Sequence, residues 1–538
     1  MTLKPHNLHV TNTLTRRREK CEPLSPPASA DSPPSPAGEA DGPGEADGPH
    51  VGMYVCGPTV YGNAHLGHAK SYISFDVIVR YLRHLGYDVT YVQNITDVGH
   101  LTDDADAGED KVEKAARAKK VHPMQIAEQF TRRYFEDMDA LNILRPDISP
   151  RASGHVIEQL EHTKRLIERG HAYEANGSVY FDVASWPAYG RLSGRSVEEM
   201  QAGARVEVSA EKRHPADFAL WKRAEPGHIM QWPSPWGMGY PGWHIECTVM
   251  GQKYLGETFD IHGGGIENVF PHHEDEIAQA EAATGKPFVK YWLHNNMVTV
   301  AGKKMGKSLG NFITLRDAFA KWPPMVIRLF ILQSHYRSPT DFSEEAIGAA
   351  ATGYERLSRA FENIASLEAD AVDRPLLDTI PTEARGVKWE GEPPTDTRAM
   401  ARLQEAERQF QEAMDDDFGT PGALAAVFEV QGVIMREAIA TVLRPPNRQV
   451  VKRLRSSFEN MASEVLGFGF ERKLDETTEK LLTGVVNILL QQRESARNAK
   501  NYGTADAIRQ QLDNMGITIE DTPEGQRWRR KHRISYKV

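Results

Sequence analysis

The stretch Val51-Gly-Met-Tyr-Val-Cys-Gly-Pro-Thr-Val-Tyr-Gly-Asn-Ala-His-Leu-Gly-His68, with the residues that follow it to Thr96, decides how the chain folds. Val51 to Cys56 reads as a short strand. From His65 to Leu85 the apolar side chains Ile73, Val77, Ile78, Tyr81, Leu82 and Leu85 recur at helical spacing, and Gly86 stands where a helix would stop. Val89 to Thr96 is then a second strand. Strand, helix and strand in that order form a βαβ unit, which implies a parallel sheet with its ligands gathered at the C-terminal strand ends. Cys56 and Thr96 both fall at those ends.

Downstream, residues from about 130 to 225 mix a helix (Gly154 to Gly170) with short strands such as Ser178 to Val183, and βα-like segments resume at Thr258 to His262. The pattern predicts an insertion within a nucleotide-binding α/β domain that spans residues 51–340, with residues 1–24 as its N-terminal part. Beyond about Asp341 the chain turns to long helical patterns, read as one unit over 341–470 and a small module over 471–538, with a Pro-rich polar loop from about Asp370 to Thr397. Ser25 to His50 carries five acidic groups, no apolar side chain larger than Ala apart from Pro, and Gly-Glu-Ala-Asp-Gly-Pro twice in tandem. Such a segment cannot bury enough surface to offset its ordering entropy, so it is expected to be a disordered insert.

The formal net charge of −10, from 64 Lys and Arg against 74 Asp and Glu, argues against a protein that coats nucleic acid everywhere. A local basic patch remains open, and Arg527 to Val538 supplies one, with six Lys or Arg, no acid, and Trp528 and Tyr536 interleaved. The three cysteines, Cys21, Cys56 and Cys247, form no CxxC pair and fit a reducing compartment, read as the cytoplasm. Met1 to Thr15 has no apolar h-region, and no stretch approaches the roughly 18 consecutive apolar residues that a spanning helix needs; no membrane role is implied.

His65-Leu66-Gly67-His68 opens the helix just after the first strand, where two imidazoles and the backbone N–H groups can face a polyphosphate held against the helix dipole. Taken alone the motif reads sooner as a structural or surface histidine pair, and its strand–turn–helix setting reverses that preference. Lys304-Met305-Gly306-Lys307-Ser308 offers two lysines able to neutralise charge on a departing pyrophosphate, and by itself is also a plain basic surface loop. His272 and Glu276, four residues apart, share one face of a helix that Pro271 is suited to begin. With Cys56 and Cys247 they make four ligands of types zinc prefers, although unrelated buried cysteines would give the same composition.

Together, and in this order, the two basic motifs resemble the HIGH and KMSKS signatures of class I aminoacyl-tRNA synthetases, with Gly306 where the family usually has Ser. Met53-Tyr-Val-Cys-Gly-Pro-Thr-Val-Tyr61, Gly242-Trp-His-Ile-Glu-Cys247 and Phe270-Pro-His-His-Glu-Asp-Glu276 resemble the zinc-site motifs of the cysteine-specific members of that family. The resemblance begins at Asn12-Thr-Leu-Thr15 and covers nearly the whole chain, leaving out mainly Ser25 to His50 and the loop near Asp370 to Thr397. It implies an α/β fold: a Rossmann-like parallel-sheet catalytic domain with an inserted subdomain, then a helical bundle that binds tRNA and a small anticodon-binding module. It makes His65, His68, Lys304 and Lys307 catalytic, and Cys56, Cys247, His272 and Glu276 the ligands of one Zn2+ per chain. It places Thr96, Trp243 and His262 beside the substrate cysteine, with Gly67, His262, Gly263, Gly264, Gly265 and Glu267 around the nucleotide. At Glu267 the family more often has Asp, and at Tyr240 it has Arg.

Tyr336-Arg-Ser-Pro-Thr-Asp-Phe-Ser343, Asp416-Asp-Phe-Gly-Thr-Pro421 and Ala505-Asp-Ala-Ile-Arg509 resemble the family's helical tRNA-binding region, and Glu520 to Trp528 its anticodon module. Arg527, Trp528 and Arg529 then suit single-stranded bases, an aromatic face among cations. The implied activity joins L-cysteine to tRNA(Cys) with ATP and Mg2+ in a monomer. Asp97-Val98-Gly99-His100 departs from the family's more usual acidic pair, and the acidic stretch after it, Asp103 to Asp110, lacks the ligand spacing of an EF-hand and reads as a solvated loop. Two other readings stay in view: a ligase that passes activated cysteine to a small amine, which the C-terminal modules disfavour, and a catalytically silent zinc- or RNA-binding protein, which would not need every signature residue.

Overall fold

In a computed structural model of the chain, His50–Val55 (β1) is a strand with all but its first residue buried, and Leu66–Leu85 (α1) is the helix that follows it. All six apolar positions that the spacing assigns to one face of α1 are buried. Each such side chain contributes about 1.5–3 kcal/mol on removal from water. The helix ends where Gly86 takes φ of 101° and its N–H turns back to the carbonyls of Arg83 and Leu82, a conformation that strains any residue with a Cβ. Asp88–Gln93 (β2) then pairs in parallel with β1. It stops short of Thr96, because Ile95 and Thr96 donate instead to the carbonyls of Pro150 (2.8 Å) and Pro58 (3.1 Å). The structure describes residues 6–24, 48–102, 108–196, 211–306, 309–379, 383–384, 387–388, 395–441, 444–470, 476–515, 517–522 and 525–530.

The chain returns to this sheet far downstream. Trp243–Leu255 (α2) leads into Phe259–Gly265 (β3), and His272–Thr284 (α3) leads into Val289–Asn295 (β4). The four strands run parallel in the order β4, β3, β1, β2. Succession therefore reverses between β1 and β3, and the crevice beyond their C-terminal ends is where sheets of this kind hold ligands. The N-terminal segment, a hairpin of His9–Asn12 and Arg17–Lys20, hooks onto β4: Thr13 N–H donates to the Trp292 carbonyl (2.9 Å), and the Asn12 amide exchanges bonds with the backbone of Lys290 and Trp292.

Between β2 and α2 lies a five-stranded antiparallel sheet of Ala172–Ala175, Ser178–Phe181, Phe218–Arg223, Gly237–Pro241 and Trp232–Ser234, in that spatial order. Its last strands run to Pro241, past the edge expected near residue 225, and the helix Pro123–Ala140 crosses the edge expected near 130. Beyond Glu344 come the helices Glu344–Ala369, Asp396–Asp415, Thr420–Ala440 and Arg448–Phe458. Contacts divide the chain into two compact units, Met1–Phe468 and Gly469–Val538. The second holds Glu476–Asn498, Tyr502–Asn514 and a hairpin of Ile517–Thr522 with Gly525–Arg530, around Val486, Leu490, Leu512, Ile517 and Ile519. Among the described residues no helix is long and apolar enough to cross a membrane.

The segment read as an insert ends earlier than its composition suggests. His50 opens β1 opposite Asp88, the Pro49 carbonyl accepts from Asp88 N–H (3.1 Å), and a Cβ on Gly48 would lie 1.8 Å from the Gly86 carbonyl oxygen. Residues 25–47 lie outside the described residues. On either side of them the chain is pinned to one carboxylate, since Asp260 accepts from Leu24 N–H (2.6 Å) and Gly52 N–H (2.9 Å). A short linker can therefore close the gap at little entropic cost. Replacing residues 25–47 by a few Gly and Ser should leave the melting temperature within about 2 °C, whereas carrying the deletion through His50 should lower it by more. Equal melting of the two deletions in a thermal scan would contradict this boundary.

Candidate active site and metal centre

The turn from β1 into α1 puts His65 at the N-cap with extended backbone, φ −130° and ψ 174°. Its Nδ1 accepts from Gly67 N–H (3.1 Å), while Nδ1 of His68 accepts from His65 N–H (3.1 Å), so the two rings cap the helix reciprocally and lie 3.9 Å apart. Acceptance at Nδ1 leaves the proton of a neutral ring on Nε2. Burial, then the charge of His65, pushes His68 well below the ordinary histidine range, so it stays neutral. A Cβ on Gly67 would lie 2.9 Å from the His65 ring, so this capping alone demands glycine.

The lysine loop reaches the same place. Met305 brings its methyl within 3.8 Å of the Gly67 Cβ position, and the chain beyond it pairs with the helix start: Leu66 N–H donates to Ile313 (3.3 Å) and Leu315 N–H to Ala64 (2.8 Å). Asn311 braces the loop by accepting from Gly306 N–H (2.9 Å) and donating to the Lys304 carbonyl (3.1 Å). Both bonds use backbone atoms, so glycine at 306 does not disturb them. Lys304 is exposed; Lys307 lies outside the described residues.

At the switch point four donors converge from three elements. Cys56 directly follows β1, Cys247 comes from α2, and His272 and Glu276 come from α3. Their ligand atoms all lie within 4.8 Å of one another, with Cys56 and Cys247 sulfurs 3.9 Å apart and His272 Nε2 3.1 Å from Glu276 Oε1. Spacing alone did not single out His273, whose Nε2 is 3.2 Å from the Cys56 sulfur, and His262 places Nε2 2.8 Å from Glu276 Oε2. Cys56, His262, His273 and Glu276 form a second set of equally close donors. The doubled histidine of Phe270-Pro-His-His was the available signal, because at a helix start two adjacent rings can both turn inward.

Burial sets the charge of this cluster. It pushes the Cys56 thiol up to about 11 and Cys247 well above the ordinary thiol range, raises Glu276, and drives His272 and His273 well below the usual imidazole range. These five groups are thus held toward their neutral forms, as low dielectric dictates. A divalent cation would invert this by drawing the thiols into thiolates. Two sulfurs, imidazole nitrogen and a carboxylate, all buried and mutually within reach, fit zinc.

The surrounding walls are aromatic and tightly packed. Trp243 stacks on His272 (centroids 4.3 Å, 18°) and His262 stacks on Trp292 (4.5 Å, 16°). Thr96 Oγ1 donates to Glu246 Oε1 (2.5 Å), a carboxylate only 1% exposed that sequence reasoning passed over. Cβ atoms on Gly263 and Gly264 would meet the rings of Phe75 and His273 at 2.4 and 2.7 Å, so glycine at these two positions is forced by packing before any ligand is considered, whereas one on Gly265 would meet only the movable carboxylate of Glu267 (2.5 Å). Glu267 is exposed at the crevice rim. Tyr240, in place of the family's Arg, is buried and stacks on His228 (4.3 Å, 12°).

Asp97 is buried and accepts from the backbone (2.9 Å) and hydroxyl (2.6 Å) of Ser153, while Asp110, last of the acidic stretch, caps the helix Lys111–Lys119; residues 103–107 lie outside the described residues. In the second unit the Trp528 ring packs against the core cluster, and the strand carries Arg527 and Arg529 on either side of it.

Comparison with known proteins now defines the class. Residues 45–352 match the family model described as tRNA synthetases class I (C) catalytic domain, residues 409–471 the DALR domain, and residues 480–529 the cysteinyl-tRNA ligase anticodon binding domain. The architecture is shared with Mycobacterium tuberculosis methionyl-tRNA synthetase, at a TM-score of 0.51 and 16% identity over 77% of this chain and 89% of that one, and with LeuRS of Agrobacterium radiobacter, at 0.55 and 12% over 78% and 84%. This is the fold of a class I aminoacyl-tRNA synthetase. Cysteine–tRNA ligase of Chlorobaculum tepidum is 48% identical over 98% of this chain and 99% of its own length, and that of Thermus thermophilus is 50% identical over 89% and 95%. The chain belongs to the cysteine–tRNA ligase family.

The packing argument for the glycine run is testable apart from catalysis. Gly264→Ala would press a methyl group against His273, which is fixed by Cys56 and by His294 (2.7 Å), whereas Gly62→Ala would meet nothing within 4 Å. The first should cost about 1–3 kcal/mol in denaturant unfolding and the second no more than about 0.5. Indistinguishable stabilities would contradict the packing account.

Proposed function

We propose that this chain activates L-cysteine with ATP and transfers it to the 3′ end of tRNA(Cys), working as a cytoplasmic monomer. The observation that carries the reading is the convergence of Cys56, Cys247, His272 and Glu276 at the switch point, on the same β1–α1 side that presents His65 and His68. Those four residues would hold one Zn2+. When bound, zinc supplies a soft Lewis acid that a thiolate ligates strongly and a serine hydroxyl at neutral pH does not, so selection can occur at binding.

In the first step a carboxylate oxygen of cysteine attacks the α-phosphorus of ATP, the bond to the β-phosphate bridge breaks, and pyrophosphate leaves; Mg2+ bound with ATP would add to the neutralisation of its charge. His65 and His68 turn Nε2 toward the phosphates, and Lys304 and Lys307 neutralise the charge growing on the leaving group. Thr96, Trp243 and His262 wall the amino acid, while Gly67 and Gly263 to Gly265 let the nucleotide lie against the backbone and Glu267 reaches its ribose. In the second step a terminal ribose hydroxyl of the tRNA attacks the carbonyl carbon and AMP departs. Residues 51–340, with the insertion at about 130–225, perform this chemistry, 341–470 dock the tRNA, and 471–538 read its anticodon through Arg527, Trp528 and Arg529. The separate compactness of Gly469–Val538 supports the last assignment.

Removing the chain from Asp475 onward should therefore abolish most charging yet keep cysteine-dependent ATP–pyrophosphate exchange; loss of exchange in a folded truncation contradicts the division of labour. Exchange by the full chain should favour cysteine over serine by more than the roughly 10- to 200-fold that a one-group difference in an apolar pocket allows. Cys247→Ser should lower both retained zinc and cysteine-dependent exchange, the latter by at least about tenfold. Activation of serine nearly as well as cysteine would sink the reading.

A further inference from the structure

His100 stands where the chain leaves the end of β2, in the tetrapeptide that departs from the family pattern, and the proposed chemistry does not use it. Its ring lies flat on the indole of Trp243, with centroids 3.8 Å apart and planes 8° from parallel. His272 is stacked on the same indole at 4.3 Å and 18°. Two nearly parallel rings so close to one centroid fit only on opposite faces, so Trp243 is clamped between His100 and His272.

The outer jaw of this clamp is itself fixed. His100 Nε2 lies 2.7 Å from Lys111 Nζ, and since an ammonium only donates, Nε2 accepts and Nδ1 carries the proton toward Thr59 Oγ1 at 2.5 Å. Thr59 in turn bridges to Thr96, and Val60 N–H donates to the Thr96 carbonyl (3.1 Å). The ring is only 8% exposed. Three segments thus hold one imidazole against one face of Trp243: the β1–α1 turn, the exit from β2, and the start of the helix Lys111–Lys119.

Trp243 opens α2 and is only partly buried; the neighbouring His244 ring meets it at a tilt (5.0 Å, 41°), while the two stacked imidazoles lie flat on its faces and set the plane of the indole. We propose that His100 is a positioning residue for amino-acid recognition, holding the Trp243 indole by stacking so that the pocket wall is formed before cysteine arrives. The inference rests on the reading of Trp243 as a wall of the cysteine site. Preorganisation of this sort acts on substrate binding and leaves the phosphate chemistry at His65 and His68 alone.

Two variants of the full chain separate stacking from hydrogen bonding. His100→Asn keeps polar atoms near Thr59 and Lys111 but removes the ring; His100→Phe keeps a ring and removes both polar bonds. In cysteine-dependent ATP–pyrophosphate exchange His100→Asn should raise the cysteine KM about fivefold to tenfold, the range one aromatic contact commands, with kcat and the ATP KM within about twofold of the parent. His100→Phe should stay within about twofold in all three. A purely structural role would lower the active fraction, and with it kcat, without moving KM for cysteine alone. An unchanged cysteine KM in His100→Asn, an equal rise in the ATP KM, or a greater defect in His100→Phe than in His100→Asn would overturn the proposal. Absence of cysteine-dependent exchange in the parent protein would instead overturn the functional reading, so the two failures are distinguishable.

Discussion

Thiols, imidazoles and a carboxylate gathered in the dry interior oppose folding unless a charge joins them or they find partners, and the members of this cluster find partners in one another. Glu276 sits between His262 and His272, and His273 links the Cys56 sulfur to His294, whose other nitrogen reaches Thr13 Oγ1 (2.8 Å). The N-terminal hook on β4 is thus also the far end of the polar chain that starts at Cys56. Removing any one member would leave a buried donor or acceptor unmet, at about 1–3 kcal/mol each. The same polar chain explains why residues so distant in sequence must be brought to one edge of the sheet.

A second buried group ties that edge to the helices behind it. Asp76, in the middle of α1, accepts from Arg80 (2.8 Å) and from Arg328, both ends of the Asp76–Arg328 pair being fully buried. Burial raises the Asp76 carboxyl, but Arg80 and Arg328 outweigh it and hold the group below the usual carboxylate range. Arg328 also donates to the carbonyls of Leu466 (2.7 Å) and Leu141 (3.0 Å). One guanidinium therefore connects the helix that begins at His65, the helix Pro324–Leu332 that follows the lysine loop, and the end of the helical region. Breaking such a pair costs about 3–5 kcal/mol, because the remaining charge is stranded. It would also loosen the frame in which the two signature segments meet.

How much of this could be read beforehand depended on whether the determining contacts were local. The span of α1, its glycine stop and the shared face of His272 and Glu276 follow from spacing within one helix, and the structure has them. Gly237–Pro241 shows no alternation because Gly and Pro mask it; only its pairing with Trp232–Ser234 and Phe218–Arg223 makes it a strand. Asn94 to Thr96 look like strand but bond to Pro58 and Pro150, partners invisible from within the segment. The composition of the insert changes at Val51, yet register with Asp88 recruits His50. For the donor cluster, spacing could suggest only the pair on α3; the approach of Cys56 to Cys247 is tertiary, and there family resemblance carried what periodicity could not.

The central claim is that the buried donors hold a metal whose open side selects a thiol, and sulfur counting at that metal tests it most directly. X-ray absorption at the zinc edge on the purified full chain should find two sulfur neighbours in the absence of amino acid, three when cysteine is added, and still two with serine. A zinc environment that cysteine leaves unchanged, or purified protein without zinc, would contradict the account.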